Sequence, residues 1–495
     1  LKQTLKIMKP PFPNSYWLEP GRLVCGQYPR DFEDDGSHEA MRALLEAGVR
    51  LFLDLTEPDE KKPYGPIAVE MARELGIDPA TLEHRRFPIR DVSVPREDGE
   101  MRAILRAIRS ARHRGITAYL HCWGGRGRTG TVAGCALSEI FGHRGEAALA
   151  VLADRWQTCA KSADSASPET SDQRGYVRRW NPVGSDRASR IRGAILGAAV
   201  GDALGVPVEF QGRAARVADP VTGMRAYGTH HQPAGTWSDD TSMILATMAA
   251  LTEKAAFDPE AVMGEFARWV AEGRHTAHGE VFDIGIATRA AIRHYQNGTP
   301  AGQCGGADEY SNGNGSLMRI LPVALAFPND PDLIEKAAAI SALSHAHERS
   351  QFCCAFYCLV ASDLLHGSPI AEATAFAWEI LDHRWRFSPA ERERFDRLRP
   401  DRLFARGEET IGSGGHVIDT LEAALWVNAR HDTYADAVLH AVNLGDDTDT
   451  TGCVAGGLAG LIHGEPGIPA EWRETLVRRS ELEARCDDFA AAFPV

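Results

Sequence analysis

The chain has 495 residues and a mass of 53.9 kDa, enough for two or three domains. Apolar residues make up 44% and charged residues 25%, a globular balance that excludes a disordered chain. The net charge of −14 is unevenly placed: residues 1–180 carry 27 basic and 25 acidic side chains, the remainder 27 and 43. Two modules with different ligands are expected, and the acidic second half disfavours a general nucleic-acid-binding surface.

No stretch approaches the roughly 18 uninterrupted apolar residues of a membrane helix. The N-terminal segment lacks an apolar core followed by a small-residue cleavage site, so no secretory signal is expected, and Met8 is a candidate start. The ten cysteines are scattered, which fits reduced thiols in a cytoplasmic protein. Cys353, Cys354 and Cys358 share a helical run and read as buried apolar residues rather than a metal site.

In chain order, residues 49–55 (VRLFLDL) and 117–121 (TAYLH) predict buried strands, and 37–47, 65–75 and 100–112 amphipathic helices. Arg102, Arg106 and Arg109 fall opposite Met101, Ile104, Leu105 and Ile108 and are expected in solvent. The alternation implies an α/β layer with a mainly parallel sheet. Ser167-Pro168-Glu169-Thr170 reads as a helix start with a Ser cap, and Tyr176, Val177 and Trp180 share one face after it. The first domain therefore spans residues 1–180, a linker 181–189, and a second domain 190–495. There, helical periodicities follow one another (191–204, 241–253, 259–272, 281–295, 333–346, 351–366, 417–428, 434–444) without convincing strands, so an all-α domain is expected.

Within the first domain, His121-Cys122-Trp123-Gly124-Gly125-Arg126-Gly127-Arg128-Thr129-Gly130 follows a strand and precedes a helix expected over 131–139. A Gly-rich loop opening a helix aims successive backbone N–H groups inward and adds the helix dipole, a cradle for a phosphate. The same groups favour a thiolate at Cys122. Arg128 forks to phosphate oxygens, Gly125, Arg126 and Gly127 line the cradle, and the Thr129 hydroxyl is expected to bond the sulfur. This loop resembles that of the cysteine-dependent tyrosine and dual-specificity phosphatases, closest to the kinase-associated-phosphatase subgroup, over residues 10–180. The resemblance implies Asp91 as the acid, with Asp98 as the fallback; Asp54 reads as a structural strand-end group. Arg85, Arg86, Arg90 and Arg96 either draw a polyanionic substrate to the mouth or form a solvated face.

In the second domain, Ser238-Asp239-Asp240-Thr241 and Asp446-Asp447-Thr448-Asp449-Thr450 each open a helix, and Asn312-Gly313-Asn314-Gly315-Ser316-Leu317-Met318-Arg319 is a Gly-rich loop. Either motif alone reads as a helix cap; converging, they offer hard oxygen ligands for Mg²⁺ or Mn²⁺. Together with GAILGAAVGDALGVPVEF (193–210), FDIGIATRAAI (282–292) and SHAHERS (344–350), they resemble the ADP-ribosylglycohydrolases of the dinitrogenase-reductase-activating type. The resemblance implies an all-α fold and two Mg²⁺ or Mn²⁺ ions held by Ser238, Asp239, Asp240, Asp447, Asp449 and Thr450. It implies Asp283 as a candidate acid–base and Glu209 as a flap carboxylate that meets the substrate. Gly313, Asn314, Gly315, Ser316 and Met318 would surround the ribose and diphosphate, and His345 would contact substrate. Asp446 stands where the family often has Gly, and Asp202 gains no defined catalytic role. Gly193, Gly197 and Gly201 read as close helix packing.

The expected protein is thus a bifunctional hydrolase: metal-dependent release of ADP-ribose from a modified acceptor, such as arginine, and phosphomonoester hydrolysis through a cysteinyl-phosphate. The alternative is that one domain only binds ADP-ribose or phosphate. Expected partners are an ADP-ribosylated protein or small molecule, with modified nucleic acid left open, and a phosphorylated polyanion; no membrane partner is expected.

Overall fold

A computed structural model describes residues 8–30, 36–181 and 187–494, which form two compact units dividing between Pro182 and Val183. Residues 182–186 of the expected linker lie outside the described residues, and its last part, from Arg187, is already helical.

The first unit is a five-stranded sheet with helices on both faces. Its strands are β1 (Ser15–Glu19), β2 (Leu23–Gly26), β3 (Val49–Asp54), β4 (Glu83–Arg86) and β5 (Thr117–His121), in the order β1-β2-β5-β3-β4. Only β1 runs antiparallel to its neighbour. β5 is central and buried along its whole length, which is why its sequence is apolar without alternation. β4 is a polar edge strand, Glu-His-Arg-Arg, and shows no apolar signal in the sequence.

Alternate strand residues feed two cores. Leu51 and Leu53 pack with α3 (Asp98–Arg114) and α4 (Gly127–Glu139). Phe52 and Tyr119 pack with the helices Ser37–Glu46 and Gly65–Glu74. Arg109 corrects the solvated-face expectation: it is buried and pairs with Glu139 of α4, because the side of α3 that packs inward is wider than its apolar stripe. The Ser171–Arg179 helix is capped by Thr170, not Ser167. The Thr170 hydroxyl accepts from the Gln173 N–H, and the Gln173 side chain accepts from the Thr170 N–H, a reciprocal box.

The second unit is helical; beyond its helices and turns the described residues show only isolated β-bridges. Two long helices, Arg187–Gly205 and Thr448–Gly467, meet along glycines. A Cβ on Gly193, Gly197 or Gly201 would stand 2.5, 2.5 or 2.0 Å from the carbonyl oxygens of Gly460, Gly456 and Gly452. The backbones are therefore in direct contact, as the glycine spacing predicted. The segment Arg187–Val208 is long and apolar enough to cross a membrane by length and composition, and 94% of its most apolar window is buried in this domain. The expected 281–295 helix begins only at Ile286, since Asp283 takes φ +57° and breaks the helical path. The Cys353, Cys354 and Cys358 thiols are free and buried in the Glu348–Leu365 helix, and burial pushes all three up.

Candidate active sites

β5 delivers the chain to Cys122, which is buried at the floor of the cradle. The loop turns at Gly125, where φ is +72° and a Cβ would lie 2.3 Å from the Gly26 carbonyl carbon, so only glycine fits. α4 begins at Gly127, four residues earlier than expected, which puts Arg128 and Thr129 in its first turn. The Arg128 guanidinium donates to the Ile89 carbonyl (3.0 Å) and to both Glu60 carboxylate oxygens (2.8 and 2.6 Å), and it lies 2.9 Å from Asp91 Oδ1. Burial works to raise the Glu60 carboxyl, but the Arg128 bonds outweigh it and hold it below the ordinary range. Glu60 had no signal in the sequence beyond its charge.

Asp91 stays largely exposed beside this arginine, and its neighbour Val92 takes φ +58°, strain that a β-branched residue rarely bears. Gln173 Nε2 donates to the Ser93 carbonyl (3.0 Å), tying this segment to the C-terminal helix of the domain. Asp98 instead opens α3 and accepts from the Tyr176 hydroxyl. Thr129 Oγ1 is buried without a hydrogen-bond partner, so the expected bond to sulfur is not formed. Arg126 reaches the Ala166 carbonyl (2.8 Å) and Glu169 (3.2 Å).

Arg85 and Arg86 are held by Glu83 and Asp54 and Arg96 by Glu100, which favours a structural role for them. The cations found at the loop are instead Lys161, donating to the Gly124 carbonyl (2.9 Å), and Lys61, 4.5 Å over the Trp123 ring. Behind the cradle, His121 Nε2 meets the Tyr64 hydroxyl at 2.9 Å. Burial pushes this imidazole down to about 4. Asp54 is wholly buried among Thr56, His84 and Arg86, the structural strand-end role expected of it.

In the second unit the two acidic motifs meet. Ser238 caps the Asp239–Lys254 helix and donates to Asp240 Oδ2 (3.0 Å). Thr450 Oγ1 reaches the same oxygen from the other motif (3.3 Å). Asp202 accepts from the N–H groups of Ser238 and Thr241 and from the Thr241 hydroxyl, so it fixes the first motif's loop. Asn314 Nδ2 donates to Asp447 Oδ2 (2.9 Å), joining the Gly-rich loop to the second motif. Arg319, buried, donates to the Gly315 carbonyl and the Ser344 hydroxyl and holds that loop from beneath.

A cavity of about 310 Å³ opens here, lined by Glu209, Asp239, Asp283, Gly313, Asn314, Gly315, Met318, His345, Asp447 and Thr450. Ser316 does not line it; its hydroxyl accepts from Ser341 in the core. His345 is buried and pushed down to about 3 by burial and then by Arg319, while His347 is a helix cap. Asp446 adopts φ +62°, which explains why glycine suits that position. His230, unmarked in the sequence, pairs with Glu209.

Burial and mutual repulsion drive the carboxyls of this cluster upward: Glu209 to about 8, Asp283 to about 7, and Asp239, Asp240 and Asp449 well above the ordinary range. Asp240 Oδ1, Asp447 Oδ1 and Asp449 Oδ2 are buried without hydrogen-bond partners. Ligand oxygens of Glu209, Asp447 and Asp449 lie within 4.8 Å of one another. Unsatisfied, mutually repelling hard oxygens fit a divalent cation.

Residues 184–495 match the family model described as ADP-ribosylglycohydrolase, and residues 13–177 the model described as Swiss Army Knife protein, DSP-PTPase phosphatase domain. The chain is 32% identical over 323 residues to the ADP-ribosylarginine hydrolase Tri1 of Pseudomonas putida (strain GB-1), covering 65% of this chain and 83% of that one. It is 32% identical over 309 residues to the ADP-ribosyl-[dinitrogen reductase] glycohydrolase of Rhodospirillum rubrum, covering 60% and 93%. A solved ADP-ribosylglycohydrolase-related protein complex is similar at a TM-score of 0.51 and 33% identity, covering 62% of this chain and 99% of its own. The helical scaffold, the converging acidic motifs and the matched span agree: the chain belongs to the ADP-ribosylglycohydrolase family, with a DSP-type phosphatase domain preceding that domain.

Proposed function

We propose that the second domain releases ADP-ribose from an arginine-linked acceptor with Mg²⁺ or Mn²⁺, and that the first hydrolyses a phosphomonoester of a polyanionic substrate through a cysteinyl-phosphate. The observation that carries the first half is the cluster of buried, unpartnered carboxylate oxygens on Asp240, Asp447 and Asp449, of which Asp447 lines the 310 Å³ cavity. Ser238, Asp239, Asp240, Asp447, Asp449 and Thr450 would hold the cations, which when bound supply Lewis-acid polarisation and an activated water.

The chain's own groups do the rest. The Gly313–Gly315 loop lines one wall of the cavity and would face a diphosphate-bearing ligand, with Asn314 fixing the loop by donating to Thr420 and Asp447. Asp283, which lines the cavity and lies 3.9 Å from His230, is the group assigned to pass a proton. Anionic carboxylates beside the anomeric carbon would favour its oxocarbenium character as the bond to the acceptor lengthens. In the first domain, Cys122 Sγ attacks phosphorus and the Arg128 guanidinium, on exchanging its present Glu60 and Asp91 contacts, binds the phosphoryl oxygens. Asp91, on the exposed segment beside Arg128, protonates the leaving oxygen.

The test is to incubate the full chain with an ADP-ribosylarginine conjugate and with aryl and inositol phosphates, identifying products by mass spectrometry. Release of intact ADP-ribose that requires Asp239, and of inorganic phosphate that requires Cys122, is expected. Release that persists in Asp239→Asn and Cys122→Ser proteins would overturn the assignment.

A further inference from the structure

We infer that His230 is a positioning residue of the glycohydrolase site: it latches the Glu209 carboxylate in the attitude from which that group meets the substrate. The inference rests on the glycohydrolase reading above. The turn Gly228–His230 clasps Glu209 at two places. Thr229 Oγ1 donates to the Glu209 carbonyl (2.8 Å), and His230 Nε2 pairs with Glu209 Oε2. The imidazole also lies 3.9 Å from Asp283 Oδ1 and is flanked by the rings of Phe282 (5.5 Å) and Phe210 (6.0 Å).

The turn itself is held close by a steric requirement. Gly228 takes φ +64°, and a Cβ there would stand 1.9 Å from the Pro207 carbonyl oxygen, two residues before Glu209. On its other side the flap is pinned to the second acidic motif. The Phe210 N–H donates to the Asp446 carbonyl (2.7 Å), and the Asp446 N–H to the Gln211 carbonyl (2.9 Å).

Five non-glycine residues in the segments around this one carboxylate, Phe210, Tyr227, His231, Asp283 and Asp446, take positive φ. Such strain persists where the surroundings over-determine the backbone. Glu209 meets like charge from Asp447 and Asp449 and hydrogen-bonds to Asp283. The His230 ring nitrogen pairs with Glu209 Oε2 and fixes it from the other side. Phe210, 69% exposed at the cavity rim, rides on the same segment, so the latch also sets one wall of the cavity.

The experiment compares His230→Ala, His230→Gln, Glu209→Gln and the Ala/Gln double variant in the full chain. Three readouts are taken: amide exchange over residues 209–212 and 446, calorimetric affinity for ADP-ribose, and kcat and KM on an ADP-ribosylarginine conjugate. Phosphatase activity and Tm serve as folding controls. His230→Ala should speed flap exchange about tenfold while leaving the buried helices protected. It should weaken ADP-ribose binding roughly five- to thirtyfold and lower kcat more than it raises KM. His230→Gln, which keeps a donor, should restore most of the loss. In the Glu209→Gln background the same change should add less than about twofold.

Wild-type exchange and affinity in His230→Ala, or full additivity with Glu209→Gln, would overturn the latch. If the wild type binds ADP-ribose but leaves the arginine conjugate intact, the acceptor assignment fails, and exchange and affinity still decide the latch. If it binds no ADP-ribose, exchange alone decides it.

Discussion

Gly201→Ala is a small change in sequence with a large expected consequence. The added Cβ would lie 2.0 Å from the Gly452 carbonyl oxygen and 2.5 Å from its carbon, where ordinary contact needs at least 3.4 Å. The two helices must therefore separate locally by about 1 Å or more, because neither partner is a flexible side chain. Overpacking of this kind costs roughly 1–3 kcal/mol, a Tm fall of about 2–4 °C per kcal/mol in a domain of this size. The position also borders the proposed metal ligands. Asp202 is the next residue, and Asp449 and Thr450 lie within one turn of Gly452. A displacement near 1 Å at positioned catalytic groups costs on the order of 100-fold in rate. The assay is differential scanning calorimetry beside both activities measured on one preparation. A lowered helical-domain transition, ADP-ribose release reduced on the order of 100-fold and unchanged phosphatase turnover are expected. Wild-type Tm and wild-type ADP-ribose release would refute the argument that backbone contact sets the spacing of the two acidic motifs.

Chelation should abolish ADP-ribose release and leave phosphatase turnover unchanged, with Mg²⁺ or Mn²⁺ restoring the loss; Zn²⁺ as sole reactivator would contradict the hard-oxygen donor set. Cys122→Ser should end phosphatase turnover but still bind inorganic phosphate, read by calorimetry, and Asp91→Asn should slow aryl phosphates with good leaving groups least. Equal slowing of aryl and alkyl phosphates would remove Asp91 as the acid. Asp446→Gly relieves a left-handed aspartate at the loss of one 3.3 Å bond from Ser413, so Tm should hold or rise, by up to about 1 kcal/mol in stability; a clear fall in Tm would contradict this. For Asp54, burial raises the carboxyl, but His84, His121 and Thr56 together bring it well below the ordinary value. Its stabilisation is therefore present above about pH 4 and is lost as pH falls through the folded value. Acid titration by near-UV circular dichroism should show Asp54→Asn less stable at pH 7, with the gap to wild type closing below about pH 4. A gap that stays constant with pH would rule out the charge as its source.

The division into an α/β and a helical domain was legible in the chain order, because strand–helix alternation and long 3.6-residue periodicities are local properties. Also legible was the Gly-rich segment in which Cys122 and Gly125 precede Arg128, which the structure places in the first turn of α4. The two acidic motifs were legible one by one, as was the glycine stripe that lets their helices touch. Contacts between residues distant in the chain emerged from the fold alone. Arg109 looked solvent-facing by spacing and is buried because Glu139, thirty residues on, meets it. Glu60 and His230 carry no motif, and each matters through a partner far along the chain, Arg128 and Glu209. Asp283 was predicted inside a helix, and it instead takes positive φ ahead of the helix and lines the cavity. Periodicity reports which face of an element is apolar; which charged group another element brings to that face is a long-range contact, and the chain order does not encode it locally.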